Sequence, residues 1–154
     1  VTNMGAVYDV REPIKSGRFV IRDYHPENRP LTMPEVFMHS SNIGTAKIAL
    51  DLGKEDQEDF YEKLGFDQPV KMELPERGKP IFPQNWSQTT LITASYGHGI
   101  SISPMHLVRA TAAMVNGGAL PTMSFIKKEN YDTGPKVISK RTSDLMRKLM
   151  RLVV

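Results

Sequence analysis

The most constraining feature of this 154-residue sequence is a stretch where two helix-like apolar runs meet, residues 37–49, FMHSSNIGTAKIA. The run that leads into it, LTMPEVF, has capping-box spacing at Thr32 and Glu35. Pro34 falls in the first turn, where its missing N–H is tolerated. The pattern predicts a short helix that ends near His39.

A second helix is predicted from near Asn42 to Leu52, because apolar residues recur at helical spacing and Gly53 is placed as a stop. Ser40 and Ser41 therefore lie between two helices. Ser and Asn favour helix caps, since their side chains bond to free backbone groups. Capping is the simpler interpretation of this tripeptide. The alternative is that Ser40 and Asn42 face an active site.

Elsewhere the chain alternates helical patterns with loop-like segments. Helices are predicted over KEDQEDFYEKLGF, over SPMHLVRATAAMVNGG and from near Ser139 onwards. One β-like run, RFVIRDY, lies near the start, and TMSFIKK is predicted to be extended. Residues 67–90 are loop-like and contain four prolines. The predicted fold is mainly α with short β pieces.

Composition and charge exclude several classes of function. The 20 basic and 17 acidic residues are interspersed, so no nucleic-acid-binding surface stands out. No cysteine is present, which excludes disulfides and thiolate metal sites. None of the four histidines, His25, His39, His98 and His106, forms a spaced pair on one helix, so we expect no metal site.

Serine acyl-transfer enzymes offer a chemistry for the Ser-Ser-Asn tripeptide. One recurring arrangement combines S-x-x-K, S-x-N and K-[ST]-G in that chain order. The lysine deprotonates the nucleophilic serine, the S-x-N hydroxyl relays the proton, and K-[ST]-G grips the substrate carboxylate. Here the matching strings occur in the reverse order, as KSG at 15–17, SSN at 40–42 and SFIK at 124–127.

Two of these strings are interpreted as coincidences. In an extended segment residues three apart point to opposite faces, so Lys127 would point away from Ser124. Lys15 and Ser16 fall in a predicted Gly-rich bend, where a loop lysine is the simpler explanation. Only SSN is retained as a candidate site.

The segments around SSN make the pattern specific. LTMPEVFMHSSNIGTAKIA together with ASYGHGISISPMHLVRATAAMVNGG resembles the transpeptidase domain of class B penicillin-binding proteins. Members of that family carry S-S-N followed by Ile/Val-Gly, a Tyr-Gly-x-Gly loop, and a Pro-started helix that ends in Asn-Gly-Gly. GRFVIRDYHPENRPLT is similar to the segment that precedes S-x-N in division-type members. The resemblance extends from about Asp9 to the last helix.

This resemblance implies the helical subdomain of the α/β fold shared by penicillin-binding proteins and serine β-lactamases. It assigns the catalytic S-x-N roles to Ser40 and Asn42. It assigns substrate binding to Ser41, which packs behind that pair, and to Tyr96, Gly97 and His98, on a loop at the rim of the same cleft. A structural role for the loop histidine is the competing interpretation.

The family's S-x-x-K is expected before Val1 and its K-[ST]-G after Val154. Residues 1–154 are therefore predicted to be an internal fragment, a partial transpeptidase domain that is inactive alone. The parent is expected to cross-link peptidoglycan stem peptides through an acyl-serine, without a cofactor, and to be inhibited by β-lactams. Its expected place is the periplasmic side of the inner membrane, among other cell-division and wall-synthesis proteins and without a nucleic-acid partner.

Two other functions remain open from the sequence. A serine β-lactamase-like hydrolase shares the three-motif layout, although no omega-loop glutamate motif is evident here. The second open function is a non-catalytic sensor or scaffold domain of the same fold. An intact S-x-x-K in the flanking sequence would argue against the latter.

Overall fold

A computed structural model of the chain describes residues 3–127, 129, 130 and 132–153. In chain order, its elements are β1 (Val7–Asp9), β2 (Ile14–Ser16), β3 (Phe19–Ile21), β4 (Pro30–Thr32), α1 (Met33–Met38), α2 (Asn42–Leu52), α3 (Lys54–Lys63), α4 (Gln88–Ser95), α5 (Pro104–Val115) and α6 (Lys140–Met150). None of the helices in the described part of the chain is both long and apolar enough to cross a membrane.

The chain divides into two compact units. The first unit comprises residues 1–58, 83–99 and 149–154, and the second comprises 59–82 and 100–148. All four strands belong to the first unit, where β1 pairs with β4 and β2 pairs with β3, both antiparallel. The β2–β3 connection is tight, with Gly17 at φ +57°, a conformation that glycine adopts without strain.

The first unit has two small apolar clusters, both in contact with α2. Leu31 and Val36 pack with Ile43 on one side of α2. Ala46, on the same helix, packs with Ile92 of α4. The small Ala46 side chain is fully buried, so α2 lies close to its neighbours and its N-terminus is held firmly.

The second unit is built around α5. Leu64, Phe66, Ala110, Ala113 and Leu120 form its buried core. At the start of the helix His106 takes the glutamate place of a capping box. Its Nδ1 faces the Ser103 hydroxyl at 2.7 Å and its Nε2 faces the Gln68 carbonyl oxygen at 2.8 Å. Because a carbonyl only accepts hydrogen bonds, Nε2 carries the proton.

The predicted helices at the junction are confirmed. The first predicted helix is α1, with Thr32 as its N-cap and His39 as its C-cap, and α2 runs from Asn42 to Leu52 as expected. The remaining predicted helices are also present as α3, α5 and α6.

Three predictions about other segments are wrong. Residues 67–90 do not stay loop-like to the end, because α4 begins at Gln88 after a Ser87 cap. TMSFIKK is not extended over its described residues, 122–127, since the chain bends at 125–126. Lys15 and Ser16 lie on β2 rather than in a bend.

Candidate functional site

The junction between α1 and α2 is a Schellman motif followed at once by an N-cap. The Ser40 N–H donates to the Phe37 carbonyl at 3.2 Å, and the Ser41 N–H donates to the Val36 carbonyl at 3.0 Å. Such a motif needs one left-handed residue, and Ser40 supplies it with φ +51°. Glycine is the usual residue there because a side chain makes this conformation costly. A serine at this place is the kind of local strain that often marks a functional site.

Ser41 is buried, with 2% of its surface exposed, and its hydroxyl is engaged twice. It donates to Asp23 Oδ2 at 2.7 Å and accepts from the Gly44 N–H at 2.9 Å. Asp23 Oδ1 also accepts from the Ile43 N–H at 2.9 Å. The carboxylate therefore bonds both the cap residue and a free N–H of the first turn of α2, where negative charge is favourable.

Gly44 permits α2 to approach α1 closely. A Cβ at this position would lie 2.5 Å from Val36 Cγ2 and 3.1 Å from Ser41 Oγ. Real Cβ atoms essentially never approach another heavy atom to 2.5 Å. The glycine therefore sets the distance between the two helices and, with it, the place of the residues between them.

Ser40 and Asn42 open onto one cavity of about 420 Å³. Ser40 is exposed and Asn42 is half-buried. The Asn42 side-chain amide donates to the Arg22 carbonyl at 3.0 Å, which fixes its orientation. The lining is completed by Val36, Phe37, Thr45, Ser95, Tyr96 and Val153. Two polar groups of complementary chemistry, a hydroxyl and an amide, thus share one concave surface, as proton relay and substrate positioning require.

Ser41 packs behind Ser40 and Asn42, as the resemblance implied. It lies behind this cavity and is not part of its lining. Its hydroxyl is already satisfied by Asp23 and Gly44. This geometry suits a residue that positions the first turn of α2, because a buried and fully bonded hydroxyl has no free direction toward a ligand.

The predicted Tyr96–His98 loop does not lie on one cleft as a whole. Tyr96 lines the cavity with Ser40, whereas His98 lines a second cavity of about 450 Å³, to which Tyr96 also belongs. The rings of Tyr96 and His98 lie 5.5 Å apart, and burial raises the pKa of the Tyr96 phenol. Gly97 lies between them with φ +89° and lines neither cavity.

The two strings set aside from the sequence have other partners. Ser16 Oγ lies 2.7 Å from Thr89 Oγ1 and ties β2 to α4 within the first unit. Ser124 donates to a Glu73 carboxylate oxygen at 2.5 Å, and the Phe125 N–H donates to the other oxygen at 3.1 Å. These contacts give both serines a structural role.

No group of three or more metal-ligating side chains comes together among the residues that the structure describes. His39 pairs with the Glu27 carboxylate at 3.1 Å, and His106 is the buried cap in the second unit. Trp86, just before α4, is buried, with 4% of its surface exposed.

Sequence reasoning missed four residues that build the site: Asp23, Gly44, Thr45 and Ser95. Thr45 could have been found, because it follows Asn42 by three residues and so shares its helix face. The Asp23 contact has no local signal, since it joins residues 18 positions apart.

Comparison with known proteins supplies the family. The model of the penicillin-binding protein transpeptidase domain matches residues 7–154. The chain belongs to this family. The resemblance to class B penicillin-binding proteins and the fold class predicted from the sequence are thereby confirmed.

Among individual proteins, this transpeptidase-family chain is 39% identical over 153 residues to a probable peptidoglycan D,D-transpeptidase FtsI of Caulobacter vibrioides. It is 30% identical over 142 residues to a probable peptidoglycan D,D-transpeptidase PenA of Neisseria gonorrhoeae. These matches cover 98% and 90% of this chain but only 26% and 24% of the two relatives. The chain thus spans about a quarter of their length.

Solved structures agree on the fold. The transpeptidase domain of Burkholderia pseudomallei penicillin-binding protein 3 superposes with a TM-score of 0.90 at 29% identity. That match covers 98% of this chain and 47% of the other chain. A peptidoglycan glycosyltransferase structure from Burkholderia ambifaria superposes equally well, at 26% identity, over 99% of this chain and 49% of its own.

Proposed function

We propose that this chain is part of a peptidoglycan D,D-transpeptidase of the division type. The enzyme acylates a serine with the D-Ala-D-Ala stem of peptidoglycan, releases the terminal D-Ala, and passes the acyl group to an amine of a neighbouring stem. The two relatives described above, both probable peptidoglycan D,D-transpeptidases, support this reaction class. Within these 154 residues the only S-x-x-K string is the Ser124–Lys127 pair, so the nucleophile belongs to a part of the protein beyond this chain.

In this proposal Ser40 relays a proton between the nucleophile's base and the leaving group. The Asn42 amide has both a donor and an acceptor, so it can hold the base and the substrate backbone at the same time. Ser41 and Asp23 contact neither the base nor the substrate. They act by fixing the first turn of α2. Because the relay requires hydrogen-bond distances, this rigidity matters for the rate.

One observation carries the proposal: Ser40 and Asn42 open onto the same cavity while the residue between them is buried and bonded behind it. Residues that only cap helices do not need to line the same cavity. The left-handed serine adds support, because a strained non-glycine conformation is retained where the side chain itself is needed.

The cellular setting is part of the proposal. The parent acts on the periplasmic side of the inner membrane, binds peptidoglycan stem peptides, is a β-lactam target, and works with other division and wall-synthesis proteins. Residues 1–154 then form a partial transpeptidase domain and are inactive alone. No organic cofactor or metal is required by an acyl-serine mechanism.

The test is acylation of the full-length protein by a fluorescent penicillin. Ser40→Ala should lower the acylation rate by about 10²–10⁴-fold, the usual range for loss of a general acid–base group. Ser101→Ala is the matched control, because Ser101 is exposed, lies in the second unit and lines neither cavity. An unchanged rate for Ser40→Ala would overturn the assignment. A wild-type protein that never becomes labelled would favour a non-catalytic scaffold.

A further inference from the structure

Thr45 lines the cavity of Ser40 and Asn42, but the function proposed so far gives it no role. It lies on α2 three residues after Asn42, and both side chains belong to the same lining. Residues three apart on a helix share a face and lie about 4.5 Å apart along the helix axis. A ligand that lies along α2 and is held by Asn42 would therefore meet Thr45 next.

The Thr45 side chain is half-buried, yet its hydroxyl has no hydrogen-bond partner within the described part of the chain. A helix threonine can donate its hydroxyl to the carbonyl four residues earlier. Thr93 of α4 does so, with the Thr89 carbonyl at 2.9 Å. In α2 the corresponding Ser41 carbonyl accepts the Thr45 backbone N–H at 2.9 Å, and the hydroxyl is left over. A donor that is partly withdrawn from water in this way is available to a ligand.

Two other polar side chains of this lining are already engaged within the protein. Ser95 donates its hydroxyl to a backbone carbonyl of its own helix at 2.7 Å, and the Asn42 amide donates to the Arg22 carbonyl at 3.0 Å. Ser40 is the proton relay in the proposed function. Thr45 thus supplies the cavity with a donor that neither the described fold nor the relay uses.

We propose that Thr45 is a substrate-binding residue of the transpeptidase. Its hydroxyl donates a hydrogen bond to a peptide carbonyl of the donor stem, beyond the peptide group that Asn42 holds. An extended peptide advances by about 3.3 Å per residue, so two residues of the stem are enough to reach from Asn42 to Thr45. This inference rests on the proposed function. It separates recognition of the stem at Thr45 from proton transfer at Ser40.

The experiment compares two thioester donors on the full-length protein. The short donor is the thioester of N-acetyl-D-alanine, which has only the peptide group assigned to Asn42. The long donor carries two further residues of the stem before the D-alanine. Release of the thiol gives kcat/KM for each donor. Because acylation and proton relay are common to both, the ratio of the two values reports the contacts made by the rest of the stem.

Thr45→Val should lower kcat/KM for the long donor about fivefold, the usual effect of losing one neutral hydrogen bond, and change that for the short donor less than about twofold. Thr45→Ser keeps the hydroxyl and should stay within about twofold of the wild type with both donors. Thr111→Val is the matched control. Thr111 is an exposed helix threonine, but it lies on α5 and lines neither cavity. Its values should equal those of the wild type.

Thermal unfolding separates contact with substrate from a role in the fold. Valine has nearly the shape of threonine, so Thr45→Val should keep the wild-type melting temperature if the hydroxyl serves the substrate. A lower melting temperature, an unchanged rate with the long donor, or an equal fall for both donors would overturn the inference. Each of these leaves the proposed function intact, because an acyl-enzyme has formed. Failure of the wild-type protein to react with either donor or with fluorescent penicillin is a separate result, which would overturn the proposed function together with the inference.

Discussion

The Asp23 carboxylate accepts a 2.7 Å hydrogen bond from the Ser41 hydroxyl, across 18 positions of sequence. With its other oxygen it accepts from the Ile43 N–H at 2.9 Å. A side chain that follows β3 thus completes the N-terminus of α2. The contact therefore helps to hold the backbone on both sides of Asn42.

Asp23→Ala should destabilise the protein by about 1–3 kcal/mol, because the buried Ser41 hydroxyl and the Ile43 N–H both lose their acceptor. β-Lactam acylation of the full-length protein should fall as well. Chemical denaturation and fluorescent penicillin labelling measure the two effects. Asp67→Ala is the control, because Asp67 bonds only to an exposed glutamine side chain among the contacts described, and it should stay within about 0.5 kcal/mol of wild type. Equal stability of both variants would contradict the role given to Asp23.

Ser40→Gly should raise stability while it lowers activity. Glycine adopts φ +51° without the steric cost of a side chain, so we expect a gain of about 0.5–1 kcal/mol despite its greater freedom in the unfolded chain. The same change removes the relay hydroxyl. Ser40→Ala should lose activity without a gain in stability, since alanine keeps the Cβ. Thermal unfolding of the three proteins, with penicillin labelling alongside, checks this prediction. A destabilised Ser40→Gly would mean that the left-handed serine is not strained.

Gly44→Ala should destabilise by about 1–3 kcal/mol, the usual cost of overpacking. The new Cβ would lie 2.5 Å from Val36 Cγ2. In a Val36→Ala background, Gly44→Ala should destabilise the protein clearly less, because the Val36 methyl groups that the new Cβ would contact are absent. Gly78→Ala, at a position with open space, should be close to neutral. A double-mutant cycle measured by urea denaturation gives the coupling, and a coupling of zero would argue against direct contact.

Glu35 should make stability fall in acid. The Thr32 N–H and hydroxyl, and after them Arg29, hold the pKa of this carboxylate at about 2, below its ordinary value of 4.5. A carboxylate with a lowered pKa in the folded state stabilises the fold above its unfolded-state pKa. That contribution is lost as the pH falls from about 4.5 to about 2.

Unfolding of the wild type and Glu35→Gln across this pH range tests the Glu35 prediction. The glutamine variant should be less stable at neutral pH, and the difference should shrink toward pH 2. Parallel curves for the two proteins would show that Glu35 does not supply the pH dependence.

The sequence predicted those elements whose ends are marked by local chemistry. Thr32, Gly53 and Ser103 each cap or stop a helix through bonds to residues nearby, and all three helices were found. In contrast, α4 was missed because QTTLITAS is rich in β-branched residues, which favour strands in isolation. Burial of Leu91 and Ile92 makes it a helix, and burial depends on distant parts of the chain.

In the site, too, features with a local signal could be predicted and features that depend on distant residues could not. The pairing of Ser40 with Asn42 could be predicted, because both belong to a short motif at a helix junction. That His98 lines the second cavity but not the cavity of Ser40 could not be predicted, since it depends on the turn of the chain at Gly97, where φ is +89°. Neither could the contact between Ser16 and Thr89, whose partners are 73 positions apart.

The three-residue link between α1 and α2, His39 to Ser41, has a consequence for how the length of this chain can vary. Ser40 and Ser41 each donate a backbone bond into α1, and Ser41 at the same time caps α2. One extra residue would separate the bonds that end α1 from the cap that starts α2, because the same two serines make both. Asn42 would then leave the surface that it shares with Ser40. Insertions and deletions should therefore not be tolerated at this link, whatever residues they introduce.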